Sequence, residues 1–553
     1  MGFLLPWSVH GVLSRGEAEP LPKEERDPYS KIDFRRGERL TVRDLQAETT
    51  AGWVRGSESR GIVAFKGVPY ARAPEGRLRF QPPGSPEPWR GVREATKSGA
   101  VPIQPAIPLF RFLNAGAARQ SEDCLHLNVW TPGIDGAKRP VFLWIHGGGF
   151  LIGAGSTPVY DGNYLARTGD MVVVTINYRL GALGYVHLDG LGKPGFENSS
   201  NLGTRDQIAA LEWVRDNIER FGGNPENVTV CGQSAGAMSV GALLGAASAR
   251  GLFCRGILQS GAGRNVIGRE MADRAAELFV RTLGKPRCTP KTLGEIPVAQ
   301  ILRAQSVVNR ELMNPRDLMV MAPCLDGELI TELPTEAVEN GSVAHIDMMI
   351  GTTLDEWKLF APIDSPLAHS GESGLISRFS DLLPQLMSNS PPPEEAARLY
   401  REAVRKRGGR TTPFEVWSAF QSMRVFHRPA FELADCHERA GGSVHSYLFS
   451  WKPAVFSQTL GACHAMELPF VFGLTSHPLT RAFTSFAGSA RRLSGRMQDA
   501  WIAFARRGEP GHLGLPEWDA YDSSARATMI FDRECTLADN PLVAERRLLD
   551  AWN

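Results

Sequence analysis

A chain of 553 residues is long enough for several domains, or for one large α/β unit with insertions. Its 42% hydrophobic and 22% charged residues are ordinary for a soluble globular protein. A formal net charge of +1 gives no electrostatic reason to expect nucleic acid or an anionic membrane as partner, and no apolar run approaches the roughly 18 residues that span a bilayer.

The chain opens with MGFLLPWSVHGVLSRGEAEP, which is mildly apolar but lacks a basic start, and Pro6 and His10 interrupt the apolar stretch. It makes a poor export signal, so a cytoplasmic protein is expected. Charged residues follow, and residues 1–45 read as an extension outside a main domain of residues 46–553. The eight cysteines (Cys124, Cys231, Cys254, Cys288, Cys324, Cys436, Cys463 and Cys535) form no C-x-x-C pair and no Cys/His spacing suited to zinc. Reduced cysteines acting as small hydrophobes are expected, and no metal or cofactor is implied.

In chain order, AGWVRG and GIVAFKGVPYAR read as a hairpin separated by the polar SESR. VFLWI at residues 141–145 and MVVVTINYR at 171–179 are β-branched apolar runs of the kind covered on both faces. TRDQIAALEWVRDNIERFGG is a strong helix with Ile208, Leu211, Ile218 and Phe221 on one face and Gly222 or Gly223 as its stop. VTVC, GILQSG and MMIGTT follow as further strands. Residues of about 264–345 and 359–440 are helical and less regular, and read as cap insertions. A last helix carries Leu493, Met497, Trp501 and Phe504 inward and stops at Gly508. Strand, helix and strand in alternation predict a mostly parallel sheet wrapped by helices.

Two short patterns carry chemistry. In VCGQSAG, Ser234 stands between a strand and a helix, flanked by Gly232, Ala235 and Gly236. A sharp turn there holds a serine proud of the sheet, and small neighbours relieve the crowding. The five-residue pattern alone fits a tight turn with a surface serine equally well. Upstream, HGGGF at residues 146–150 follows a strand, and glycines there let backbone N–H groups approach a substrate oxygen. A phosphate loop would need G-x-x-x-x-G-K-[ST], and no Lys-Ser/Thr follows.

From about Thr49 to the C-terminus the chain resembles the type-B carboxylesterases, the α/β-hydrolase family that includes cholinesterases and, nearest in character, bacterial p-nitrobenzyl esterases. The motifs that carry the resemblance are FKGVPYARAPEGRLRFQPP, SEDCLHLNVWTP, VFLWIHGGGF, the run from NLGTRDQ to CGQSAG, ILQSG, GTTLDEW and HAMELPFVFG, in that order. It implies an α/β-hydrolase fold and a serine esterase. Ser234 matches the nucleophile, Glu356 the acid and His464 the base, while Gly148, Gly149 and the Ala235 N–H match the oxyanion hole. On the serine-hydrolase template, His464 takes the Ser234 proton and returns it to the leaving alcohol, and Glu356 fixes the imidazole. Asp355, beside the acid, reads as a solvated or capping neighbour. Ser260 matches a supporting serine of the family or is a plain strand-end serine, and Trp357 lines the pocket or the core.

The chain departs from the family at three places. Gln233 stands where a glutamate is usual, which removes a charge that favours cationic substrates. Cys124 matches a cysteine that is disulfide-bonded in secreted members, yet no cysteine precedes it. Phe110 and Phe112 precede SEDC, but the tryptophan that holds choline by cation–π contact is missing. The expected substrate is therefore a small to medium uncharged ester. The alternatives are amide or carbamate hydrolysis by the same groups, and a non-catalytic binding protein of the same fold.

Overall fold

The computed structural model describes residues 45–552, apart from 107–118, 264, 317, 361–366, 455–458, 479, 481–483 and 485–487. Residues 1–44 of the expected extension, as well as Phe110 and Phe112, lie outside the described residues. Strands run in chain order as β1 (Gln46–Thr49), β2 (Gly52–Arg55), β3 (Ser57–Ser59), β4 (Ile62–Pro69), β5 (Val92–Glu94), β6 (His126–Thr131) and β7 (Arg139–Ile145). They continue as β8 (Val172–Ile176), β9 (Gly223–Gln233), β10 (Arg255–Gln259), β11 (Asp347–Thr353), β12 (Val444–Phe449), β13 (Ala527–Phe531) and β14 (Thr536–Asp539).

Eleven of these strands form one sheet in the order β14-β13-β12-β11-β10-β9-β7-β8-β6-β4-β3. Pairing is parallel from β8 through to β13 and antiparallel at both margins. The expected mostly parallel sheet is present. The expected hairpin is redrawn. The polar SESR itself supplies β3, which pairs with β4, while β2 leaves for a small sheet with β1 and β5. β3 is an exposed edge, so no apolar alternation marks it.

Successive side chains on a strand point to opposite faces, and the central strands feed two cores in that way. Val141, Leu143 and Ile145 of β7 enter the cluster on one face, while Phe142 and Trp144 enter the cluster on the other. Each such fully buried side chain contributes roughly 1.5–3 kcal/mol of burial free energy, which is why these runs show no polar alternation. The helix Leu202–Asn217 and the turn Ile218–Phe221 bury Ile208, Leu211, Ile218 and Phe221, and Gly222 stops them at φ 77°. Leu493, Met497, Trp501 and Phe504 are likewise buried on the helix Gly488–Arg507. No helix among the described residues is long and apolar enough to cross a membrane. All eight cysteines are free thiols.

The two segments expected as cap insertions lie in the crossovers from β10 to β11 and from β11 to β12. The first carries the helices Arg269–Thr282 and Val298–Leu312, the second Pro393–Lys406, Pro413–Ser422 and Arg428–Arg439. At β7 the strand order reverses, because β8 lies on one side of it and β9 on the other. Ligands of open α/β sheets bind beyond the carboxyl ends of strands at such a switch point. HGGGF leaves the end of β7, Ser234 the end of β9, Ser260 the end of β10 and Glu356 the end of β11. In register, Ile145 stands level with Gly232, and Gln233 with Gln259.

Candidate active site

Ser234 follows the last residue of β9 and precedes the helix Ala235–Leu244, at φ 57° and ψ −126°. Such a backbone is strained for a residue with a Cβ and needs its surroundings to hold it. They do so. The Ser234 N–H donates to the Gln259 carbonyl at 2.8 Å, and Met238 N–H donates to the Ser234 carbonyl at 2.9 Å. A Cβ on Gly232 would strike the backbone of Gly236, and one on Gly236 would strike the Ile145 carbonyl. The predicted need for small residues at this turn is met by direct backbone contact. Ala235 opens the helix, so its N–H is a first-turn donor with no partner within the helix.

The glycine loop lies against this turn. A Cβ built on Gly147 would meet the Ser234 Cβ at 3.1 Å. Gly148 and Gly149 have φ of 120° and 62°, and a Cβ on Gly148 would run into the Ile152 carbonyl. His146 is buried beneath the loop, stacked on Tyr178 with ring centroids 4.5 Å apart. Burial pushes its imidazole down to about 4, so it is neutral at pH 7. Gly147, at the head of the glycine loop, thus stands against the Ser234 turn, and Gly148 follows it at a positive φ that leaves no room for a Cβ.

Glu356 and His464 meet on the same side of the sheet. Glu356 Oε2 is 2.6 Å from His464 Nδ1, and its Oε1 accepts the Thr353 N–H at 2.7 Å. Both side chains are buried. Burial works to raise the Glu356 carboxyl, but the His464 imidazole and its hydrogen bond outweigh this and hold it below the usual glutamate range. The Ser260 hydroxyl stands near Glu356, short of full hydrogen-bond geometry. Phe426 and Phe360 flank the imidazole at ring distances of 4.9 and 5.3 Å. Trp357 is half-buried beside Phe360, at 5.3 Å.

The Nε2 of His464 faces Gln233, whose carboxamide nitrogen is 3.1 Å away. Among the described residues, no hydrogen bond joins the Ser234 hydroxyl to the imidazole. The sequence marked Gln233 only as a missing charge and gave no sign that its side chain reaches a residue 231 positions on. Asp355 requires a correction. It is not solvated but buried, because Lys358 and Lys452 bring their ammonium groups to its carboxylate, each at 3.4 Å.

Glu467 was also missed. It is fully buried, accepts a hydrogen bond from Gln259 Nε2 at 3.0 Å, and its other oxygen has no hydrogen-bond partner among the described residues. Burial, aided by the nearby Glu356 charge, raises its carboxyl from 4.5 to about 7. The folded protein therefore keeps this proton between about pH 4.5 and 7, where the unfolded chain has released it. The associated stability is complete below 4.5 and lost as pH rises through 7, on the order of 3 kcal/mol at 1.36 kcal/mol per unit. Glu467→Gln keeps an acceptor for Gln259, so it is expected to gain about that much on wild type between pH 5 and 8.5. Urea midpoints at both pH values test this, and an equal difference at both would mean that Glu467 is already ionised in the fold.

No group of three or more His, Cys, Asp and Glu side chains among the described residues could hold a metal ion. Residues 43–547 match the model of the carboxylesterase family. The chain is 37% identical over 501 residues to the para-nitrobenzyl esterase of Bacillus subtilis (strain 168), covering 91% of this chain and 97% of that one. It is 33% identical over 499 residues to the phenmedipham hydrolase of Pseudarthrobacter oxydans, covering 88% of this chain and 95% of that one. The structure of a Geobacillus stearothermophilus carboxylesterase superposes with a TM-score of 0.79 at 38% identity, over 92% of this chain and all of the other. A family match across nearly the whole described chain, on an α/β-hydrolase sheet, leaves one conclusion: the chain belongs to the carboxylesterase family and is a carboxylic ester hydrolase.

Proposed function

We infer that the enzyme cleaves small to medium uncharged carboxylic esters through an acyl-Ser234 intermediate. The observation that carries this reading is the short contact between Glu356 and His464, whose ring stands beside the strained Ser234 turn. His464 Nε2 takes the hydroxyl proton as Ser234 Oγ attacks the ester carbonyl. The N–H groups of Gly148, Gly149 and Ala235 are the donors for the oxygen that gains charge. The tetrahedral intermediate then expels the alcohol, which leaves with the proton from His464. Water repeats the cycle on the acyl-enzyme and releases the acid.

Before attack, the serine hydroxyl must take the place at Nε2 that the Gln233 amide holds in the resting enzyme. Serine–histidine contacts that tighten only with substrate are common in such sites. An uncharged Gln233 beside the reacting centre offers nothing to a cationic alcohol, which supports neutral esters. A second reading turns the same groups on amide or carbamate bonds. It rests on the shared acyl-serine chemistry and on the phenmedipham hydrolase among the relatives.

The test is hydrolysis of a short p-nitrophenyl ester by purified protein, with an organophosphate added in stoichiometric steps. Activity is expected to fall in proportion to label, and the label to map to Ser234. Full inactivation with the label on another residue, or folded protein that takes no label, overturns the assignment. Turnover on the ester against its matched anilide separates the two readings.

A further inference from the structure

Asp355, Lys358 and Glu415 form a buried chain of charges next to the acid, with side-chain exposures of 8%, 3% and 11%. Lys358 Nζ lies 3.4 Å from Asp355 Oδ1 and 2.9 Å from Glu415 Oε2, while Lys452, 43% exposed, approaches Asp355 Oδ2 at 3.4 Å. Two carboxylates meet two ammonium groups, so the set is neutral. Burying charges costs desolvation, and well-packed hydrophobes of similar volume often do as well or better for stability. Such a set is therefore better explained by the register it fixes.

What it joins is specific. Asp355 bonds the loop that carries His464 twice: its N–H donates to the Ala462 carbonyl at 2.9 Å, and its Oδ2 accepts the Ala462 N–H at 3.0 Å. The His464 N–H adds a third link, to the Glu356 carbonyl at 3.3 Å. Gly461, at φ 56°, passes over the pair so closely that a Cβ would strike the Asp355 carboxylate. On the other side, Glu415 belongs to the insertion helix Pro413–Ser422, whose Ser422 hydroxyl accepts the Trp357 N–H at 3.0 Å. That helix runs on into the π-turn Met423–His427, which sets Phe426 against the imidazole. The acid loop, the histidine loop and the insertion helix thus meet at one ammonium group.

We propose that Lys358, held between Asp355 and Glu415, is a positioning residue that ties the helix Pro413–Ser422 to the two loops and so sets the Glu356–His464 contact. This rests on the triad reading given above. Without the ammonium, the two carboxylates repel and the insertion helix is released from the acid loop. The imidazole then loses its aim while the Ser234 turn and the glycine loop stay intact.

Lys358→Met, which keeps the stem, and Glu415→Gln, which keeps the shape, are compared with wild type on p-nitrophenyl acetate, with active sites counted by organophosphate titration. We expect kcat per titrated site to fall about 10- to 50-fold in each, with KM within about twofold. The double variant should fall little further than either single one, because both cut the same chain. The low-field proton signal of the His464–Glu356 hydrogen bond should broaden or shift in step. Variants that unfold at lower temperature but keep wild-type kcat per site and an unchanged low-field signal overturn the proposal, leaving the cluster a stability element only. If Lys358→Met does not fold, Glu415→Gln alone decides by the same readouts. Wild-type enzyme that takes no label on Ser234 would count against the triad reading instead.

Discussion

Replacing Ser234 by alanine is expected to lower turnover of a short p-nitrophenyl ester by about 10⁴- to 10⁶-fold and to leave the fold intact. Nothing else at the turn can take over the attack. What remains in the variant is binding and the backbone donors, worth roughly 10³- to 10⁴-fold over water in comparable sites. Stability should barely move. Among the described residues the hydroxyl makes no hydrogen bond to lose, and alanine tolerates φ 57° no better than serine does. Ser234→Gly supplies the control, since glycine adopts that φ freely. It should be as inactive as the alanine variant, yet more stable by about 1 kcal/mol through relief of backbone strain. Matched kinetics and urea unfolding on the three proteins are the measurement. More than a few per cent of wild-type activity in a variant free of labelled contaminant would remove Ser234 as nucleophile.

Much of this site could be read from the sequence because its backbone demands are local. Gly232 and Gly236 crowd one turn, and Gly148 and Gly149 take positive φ in one loop, so a few consecutive letters record the constraint. The parallel sheet was readable for a similar reason, since strands such as Val172–Ile176 are buried on both faces and show it as unbroken runs. β12 escaped notice because His445 and Ser446 interrupt its run although all six residues are buried. Glu356 and His464 are singled out in the sequence only by the family resemblance. They lie 108 residues apart, and no spacing rule connects them. Asp355 was misjudged because charge partners are a tertiary property. Its compensating Lys452 comes from beyond β12, and Glu415, which closes the chain through Lys358, from a helix of the β11–β12 crossover. A carboxylate beside the proposed acid looks solvated until those partners are in place.

The remaining large effect is expected at Glu356, where glutamine should lower kcat by about 10³- to 10⁴-fold with KM little changed. The reason is geometric. Thr353 donates its N–H to Glu356 Oε1 at 2.7 Å, and a glutamine must keep its carbonyl oxygen there or bury an unpaired donor. Its NH₂ group then points at His464 Nδ1, which must present a lone pair and carry the ring proton on Nε2. That tautomer has no lone pair for the Ser234 proton. Gln233 reinforces the error, because its carboxamide, 3.1 Å from Nε2, can turn its oxygen to accept the misplaced proton. Both ring nitrogens are then satisfied in the wrong form. Nor can Asp355 substitute, as its carboxylate is committed to Lys358, Lys452 and the Ala462 N–H. Steady-state kinetics with the rate of organophosphate labelling decide the matter: both should fall together, since each needs the same proton transfer. Activity within tenfold of wild type would mean that the imidazole is oriented by something other than Glu356.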